Sequence, residues 1–220
     1  MIGVGGIGST AIPALVGGGV GRVRFVDDDV VDASNLHRQP LFTGADVGRA
    51  KVSVAAERLA ALNPLVALEP VRGRADAASM ATILAGVDLV LDGSDNFATR
   101  LAVSDAATAA RVPLVSAAVA RFQGQVGTFT GWLPDRPCYR CFVGDAHDSD
   151  DCDTCADQGV LGPMVAMVAA FGALEAMRYL IGFGEEGAGK LHIIDGLTPE
   201  WRTLRLPKDP ACRACSQASQ

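Results

Sequence analysis

The sequence predicts an α/β fold: a Rossmann-like, doubly wound, mainly parallel sheet with a β-rich C-terminal extension and a tail bound by metal. Three observations carry this. A G-x-G-x-x-G run, Gly3 to Gly8, leads into a helix-like stretch. Short apolar strand patterns then alternate with helical periodicities up to about residue 120, as βα units around a parallel sheet do. Further strand patterns, one long apolar helix and a terminal Cys-x-x-Cys pair follow. The 220 residues suit one domain, with 1–120 as a nucleotide-binding half and 121–220 as the extension.

The glycine run predicts a turn that aims a helix N-terminus at a phosphate, or else a turn that needs glycine for backbone reasons alone. Pro13 is expected to bend or shorten the helix that follows. Arg22 to Asp27 reads as a strand ending in an acidic residue, the place from which such folds hold ribose hydroxyls. Only Met1 and Ile2 precede the glycines, where a central strand of about 5–6 residues is expected. The sequence therefore reads as one whose natural start lies upstream.

Residues 28–48 read as a polar loop. Arg49 to Asn63 reads as an amphipathic helix with Val52, Ala56, Leu59 and Leu62 on one face, stopped at Pro64. A strand near 66–71 and a helix near 77–85 come next. Val87 to Asp92 is a buried-type strand, Phe97 to Ala110 a helix, and Val112 to Ser116 a strand. Residues 124–131 alternate as a strand. Val160 to Gly184 predicts a helix over 160–181 with apolar residues on nearly all sides. Gly162-Pro163, Glu175 and Arg178 leave its uninterrupted apolar run short of the ~20 residues that span a bilayer. It is expected to be a core or subunit-interface helix. Strands at Lys190 to Asp195 and Trp201 to Leu206 complete the chain.

The formal net charge of −6, with no basic run or basic helix, argues against nucleic acid and against an anionic membrane surface. All six cysteines fall in Cys-x-x-Cys pairs: Cys138/Cys141, Cys152/Cys155 and Cys212/Cys215. Two such pairs can supply four thiolates to one tetrahedral zinc. No secretory signal precedes the first motif, so the thiols read as reduced, metal-binding and cytoplasmic.

Two further loops suggest chemistry. Ser34-Asn35-Leu-His-Arg38-Gln39 follows the ribose strand, and Lys51 opens the next helix. Asn, Arg and Lys around a nucleotide neutralise a triphosphate, whereas an NAD pyrophosphate needs fewer such groups. Each residue alone reads equally as a solvated loop. Asp92-Gly-Ser94-Asp95-Asn96 ends a parallel strand, where open α/β sheets bind ligands. A carboxylate there can hold Mg²⁺ against phosphate; Ser94 or Asp95 could instead cap the following helix. No G-x-x-x-x-G-K-[ST] occurs, which disfavours a P-loop NTPase.

Gly-x-Gly-Gly-x-Gly, Asp27-x-Asp29, Ser-Asn-Leu-x-Arg-Gln, Lys51, Ser-Asp-Asn, Cys-Tyr-Arg-Cys and the terminal Cys-x-x-Cys together resemble the MoeB/ThiF/HesA family, over almost the whole chain and in order. The resemblance implies an adenylyltransferase that uses MgATP to activate the C-terminal Gly-Gly carboxylate of a small ubiquitin-like sulfur carrier. It implies nucleotide contacts at Gly6, Asp27, Asp29, Ser34, Asn35, Arg38 and Lys51, with Mg²⁺ on Asp95 and Asn96 beside it. Arg38, Lys51 and Asp95 are the implied catalytic set, and Cys138, Cys141, Cys212 and Cys215 the implied zinc ligands. It also implies a homodimer, and a cysteine desulfurase or rhodanese as sulfur donor. The carrier closest in look is the small subunit of molybdopterin synthase, with the thiamine sulfur carrier second. The half at 121–220 becomes the carrier-binding, dimer and zinc half.

Cys155 matches a sulfur-transfer cysteine of the thiamine branch. Its acidic neighbours Asp150, Asp151, Asp153 and Asp157 should raise a thiol pKa, against an activated thiolate. The Cys152/Cys155 pair reads as a disulfide, a second metal site or two idle thiols. No proton-transfer base is needed, so His37, His147 and His192 are expected at the surface. The family's upstream arginine segment is missing here, which keeps a non-catalytic carrier-binding scaffold as one alternative. An NAD-dependent oxidoreductase is another.

Overall fold

The computed structural model describes residues 1–144 and 159–216. Its helices are α1 (Gly8–Gly17), α2 (Lys51–Leu62), α3 (Met80–Ile83), α4 (Phe97–Ala110), α5 (Tyr139–Val143) and α6 (Gly162–Ile181). Its strands are β1 (Arg22–Asp27), β2 (Ala67–Arg72), β3 (Val90–Asp92), β4 (Leu114–Ala120), β5 (Gln123–Phe129), β6 (Lys190–Asp195) and β7 (Glu200–Arg205).

One residue joins the sheet's two parts. Ile2 bridges Val26 on one side and Asp92 on the other, both in parallel. Its N–H donates to the Leu91 carbonyl at 2.9 Å, and its carbonyl accepts from Gly93 at 3.0 Å. The spatial order is therefore β2-β1-Ile2-β3-β4-β5-β6-β7. The chain leaves Ile2 toward β1 on one side and later returns to β3 on the other. That reversal is a topological switch point, where such sheets open a crevice at the carboxyl ends of the strands.

The sheet is mixed, which corrects the expectation of a mainly parallel one. β1-β2 and β3-β4 pair in parallel, and β4-β5, β5-β6 and β6-β7 are antiparallel. The reversal comes at the tight β4-β5 turn, where Arg121 adopts φ 52°.

Strand alternation sorts the core onto two faces. Leu91 and Val115 point toward α1 and α6, among Ile7, Val165 and Val168. Their neighbours Val90 and Leu114 point the other way, among Leu101, Val103 and Tyr139 of α4 and α5. A third cluster packs Val52, Val54 and Leu59 of α2 on Phe25 of β1. Helices thus cover both faces of the parallel half, as its continuous apolar strands require.

Several expectations shift. α1 continues through Pro13 to Gly17. Val52 and Leu59 of α2 are buried as expected, joined by Val54 and Ala55, while Leu62 at its end is exposed. The Asn63 amide closes that end by donating to the Val16 carbonyl at 3.0 Å. The helix expected near 77–85 contracts to α3, and β4 extends four residues further than expected, to Ala120.

α6 has 20 residues and a mean hydropathy of 1.6, long and apolar enough to cross a bilayer by length and composition. Packing decides against that reading. Met164, Val165, Val168, Ala169, Ala173 and Ala176 are buried in the core against β4, β5 and α1. Its outer side keeps Leu174, Leu180 and Ile181 exposed.

Candidate active site

A cavity of about 410 Å³ opens at the switch point. The glycine turn forms one wall. Gly3 sits at φ 81°, a left-handed conformation that favours glycine. A Cβ on Gly8 would lie 2.2 Å from the Gly3 carbonyl oxygen, so α1 can begin there only with glycine. Gly5 and Gly6 face the cavity, and the N-terminus of α1 adds its partial positive charge.

Asp27 ends β1 and ties the turn to the sheet. Its Oδ2 accepts from the Val4 N–H at 2.7 Å and its Oδ1 from the Asp29 N–H at 2.9 Å. Burial pushes its carboxyl above the ordinary value, against the opposing pull of Lys51 and those two N–H groups. A ligand hydroxyl donating to Asp27 would favour the charged form.

The basic wall comes from the loop after β1 and the start of α2. Asn35, Arg38, Gln39 and Lys51 all line the cavity. Arg38 donates to Asn35 Oδ1 at 2.5 Å, which holds the guanidinium along the wall. Lys51 is buried, and its Nζ reaches Asp29 Oδ2 at 2.7 Å. Gln39 is buried with its Oε1 lacking a hydrogen-bond partner among the described residues, as an atom awaiting a ligand would be. Ser34 is not in the wall; its N–H and hydroxyl both donate to Asp32 Oδ1, at 2.7 and 2.6 Å.

The acidic wall follows β3. Asp92 is buried and accepts from the Ser94 N–H at 2.9 Å. Asn96 caps α4, its side chain accepting from the Thr99 N–H at 2.8 Å. That corrects the capping alternative drawn for Ser94 or Asp95. It leaves the exposed Asp95 carboxylate at the cavity rim, a group that could hold a cation. Ser94 Oγ is a second buried wall atom without a partner among the described residues.

The structure thus gathers Gly6, Asp27, Asp29, Asn35, Arg38, Lys51, Asp95 and Asn96 around one cavity and leaves Ser34 beside it. Sequence reasoning missed Gln39 and Arg100 as wall residues. Gln39 was legible within the Asn35–Gln39 motif; Arg100 lies inside a helical pattern and gave no separate signal. His37 is exposed, and its Nδ1 lies 2.9 Å from the Ser34 carbonyl. His192 is half-buried, edge-on to Phe171 at 5.0 Å, and not simply at the surface. His147, Cys152 and Cys155 lie outside the described residues.

Away from the cavity, the Sγ atoms of Cys138, Cys141, Cys212 and Cys215 all lie within 4.8 Å of one another. Cys138 is 3.8 Å from Cys141 and 3.6 Å from Cys212, and Cys141 is 3.4 Å from Cys215. A tetrahedron with metal–sulfur bonds of about 2.3 Å has edges of about 3.8 Å, so the four sulfurs fit a closed zinc site. The hydrogen bond from Cys138 pulls the Cys141 thiol down to about 5, while burial pushes Cys215 up to about 12. Surrounding bonds fix the cluster. Arg140 forks onto Asp105 of α4 at 2.7 and 2.8 Å. Lys208 donates to the Gly131 and Leu133 carbonyls at 3.0 and 2.9 Å, anchoring the tail.

A glycine turn leading into a helix at the switch point of an α/β sheet is the arrangement of nucleotide-binding α/β domains. The ThiF family profile matches residues 1–214. The chain belongs to the ThiF family. It is 37% identical over 217 residues to the molybdopterin-synthase adenylyltransferase of Salmonella typhimurium, covering 99% of this chain and 86% of that protein. It is 42% identical to the sulfur carrier protein adenylyltransferase of Thermus thermophilus, covering 98% of this chain and 80% of that one. Among solved structures, E. coli MccB with ATP superposes with a TM-score of 0.84 at 21% identity, which shows a shared fold. That match covers 97% of this chain and 65% of MccB, so this chain spans just under two thirds of MccB's length.

Proposed function

We propose that this protein adenylylates the C-terminal glycine of a small ubiquitin-like sulfur-carrier protein. The observation that carries the reading is the convergence of Arg38, Lys51 and Asp95 on the glycine-turn cavity. Relatives named as adenylyltransferases supply the reaction class.

The chemistry follows from charge. The carrier's terminal carboxylate oxygen attacks the α-phosphorus of ATP. The bond from that phosphorus to the bridging oxygen of the β-phosphate breaks, giving an acyl-adenylate and pyrophosphate. Both reactants are anions, so the site must cancel charge before they meet. Arg38 and Lys51 do so at the phosphates, and the N–H groups of the glycine turn and α1 add to them. Asp27 holds the ribose. Asp95 would hold Mg²⁺, which neutralises phosphate charge when bound. The nucleophile is already ionised, so no general base is needed.

Cys138, Cys141, Cys212 and Cys215 would hold one Zn²⁺, whose four thiolates leave no open position and give it a structural role. Reduced thiols of this kind suit the cytoplasm. The exposed outer side of α6 supports a homodimer that buries Leu174, Leu180 and Ile181. In this reading residues 1–120 bind nucleotide, and 121–220 serve the carrier, the dimer and the zinc. The small subunit of molybdopterin synthase is the first carrier to test and the thiamine carrier the second. Relatives of both branches match at similar identity, 37% and 38%. A cysteine desulfurase or rhodanese would supply sulfur to the adenylate.

The direct test is mass spectrometry of each carrier after incubation with this protein and MgATP. A carrier heavier by one adenylyl group is expected. Unmodified carriers throughout, with a folded protein, would leave carrier binding without catalysis as the function.

A further inference from the structure

Arg100 lies in the first turns of α4, is buried, and contributes to the cavity wall. Its guanidinium donates to Ser116 Oγ at 3.2 Å and to the Ala117 carbonyl at 3.2 Å, both on β4. It also donates to the Ser94 carbonyl, one residue before Asp95. Tyr139 of α5 lies beside it, and the positive charge opposes the burial that raises the Tyr139 phenol.

These bonds have one geometric consequence. The turn at 93–96 leaves β3, and Asp92 and Asn96 hold it to its own strand and helix. Arg100 ties it sideways, to the neighbouring strand. A buried guanidinium is costly to desolvate, and an apolar side chain of similar volume would fill the space at less cost. Its planar fork reaches acceptors on two segments at once, which the point charge of a lysine cannot reproduce.

We propose that Arg100 is a positioning residue for adenylylation: by clamping the Ser94 carbonyl to the end of β4, it sets the position from which Asp95 meets the metal–nucleotide complex. This rests on the ATP-dependent reading above.

The experiment compares wild type, Arg100→Met, Arg100→Lys and Ser116→Ala. Calorimetry measures binding of α,β-methylene-ATP with and without Mg²⁺, and thermal melting reports the fold. Wild type should bind more tightly with Mg²⁺. Arg100→Met should lose that Mg²⁺-dependent gain by ~10-fold or more, because a displacement of about 1 Å at a site is felt strongly. Its metal-free affinity should fall by less than its affinity with Mg²⁺ does, by what the loss of one positive charge from the cavity wall costs. Arg100→Lys should not restore the gain, and Ser116→Ala should lose a smaller part of it. A folded Arg100→Met with the full wild-type gain overturns the proposal. So does an equal loss with and without Mg²⁺, the mark of a merely structural role. If Arg100→Met fails to fold, Ser116→Ala decides, and an unchanged gain there overturns the proposal. Wild type that binds no nucleotide at all would instead defeat the adenylylation reading, and this inference with it.

Discussion

Lys51 separates function from stability at the scale of a single residue. Its ammonium is buried, while its partner Asp29 has a side chain 65% exposed. Removing one partner of an ion pair is costly when the other is left buried, and much less so when the other is exposed, as Asp29 is. The remaining Asp29 faces water, and Asp27, which loses the pull of Lys51, keeps the Val4 and Asp29 N–H donors. Lys51→Met should therefore largely keep the melting temperature while cutting adenylylation by ~10²–10³. Parallel melting and initial-rate measurements check both halves; a large loss of melting temperature would make Lys51 a structural residue. Glu175 behaves differently. It is buried in α6, faces Arg178 at 3.4 Å without hydrogen-bond geometry, and burial raises its carboxyl above the ordinary 4.5. Arg178 and Lys190 oppose that rise without cancelling it. Between the ordinary value and the raised one, the native state holds a proton that the unfolded state has released. Stability contributed here is lost as pH climbs above the ordinary carboxylate value. Glu175→Gln should be more stable than wild type at about pH 8, and the advantage should vanish near pH 4. Urea midpoints at both values check this, and an advantage independent of pH would contradict it.

At the scale of elements, local signals account for much of the fold. Phe97–Ala110 and Lys190–Asp195 stand where apolar spacing predicts them, and β1 ends on Asp27 as expected. α5 was illegible because five residues carry too little periodicity to announce a helix. Its place is set by tertiary contacts: Tyr139 stacked edge-on to Phe129 at 5.5 Å, and Arg140 forked onto Asp105. Sheet polarity was half legible. The alternation of β5 suits an antiparallel strand, yet nothing in the sequence says where the parallel half stops. Most nucleotide-site candidates were legible because their chemistry sits in loops at strand ends, whereas Arg100 hid inside a helix. Two element-level predictions follow from caps and turns. Asn96→Ala removes the α4 cap and should cost about 1 kcal/mol, measured by urea denaturation. Gly8→Ala drives a Cβ against the Gly3 carbonyl and should cost ~1–3 kcal/mol, with nucleotide affinity falling as the turn opens. A neutral Gly8→Ala would mean that α1 can start elsewhere.

At the scale of the molecule, α4 links two centres. Its first residues follow Asp95 and Asn96 at the cavity, and its later Asp105 grips Arg140 between the first two cysteines. Removing the proposed zinc should therefore loosen the tail first. Cys215→Ser is expected to lose bound zinc by elemental analysis and to expose residues near Lys208 to protease. Retention of one zinc per chain in that variant would contradict the four-cysteine assignment. In the proposed reaction, the cavity's cations, glycine turn and carboxylate join a carrier carboxylate to the α-phosphorus of ATP as pyrophosphate leaves. ATP–pyrophosphate exchange in the presence of a Gly-Gly-ended carrier tests it most directly. Carrier-dependent exchange is predicted for the wild-type chain, with most of it lost in Asp95→Ala at an unchanged melting temperature; wild-type exchange surviving in Asp95→Ala, or no exchange with any carrier, would contradict the account.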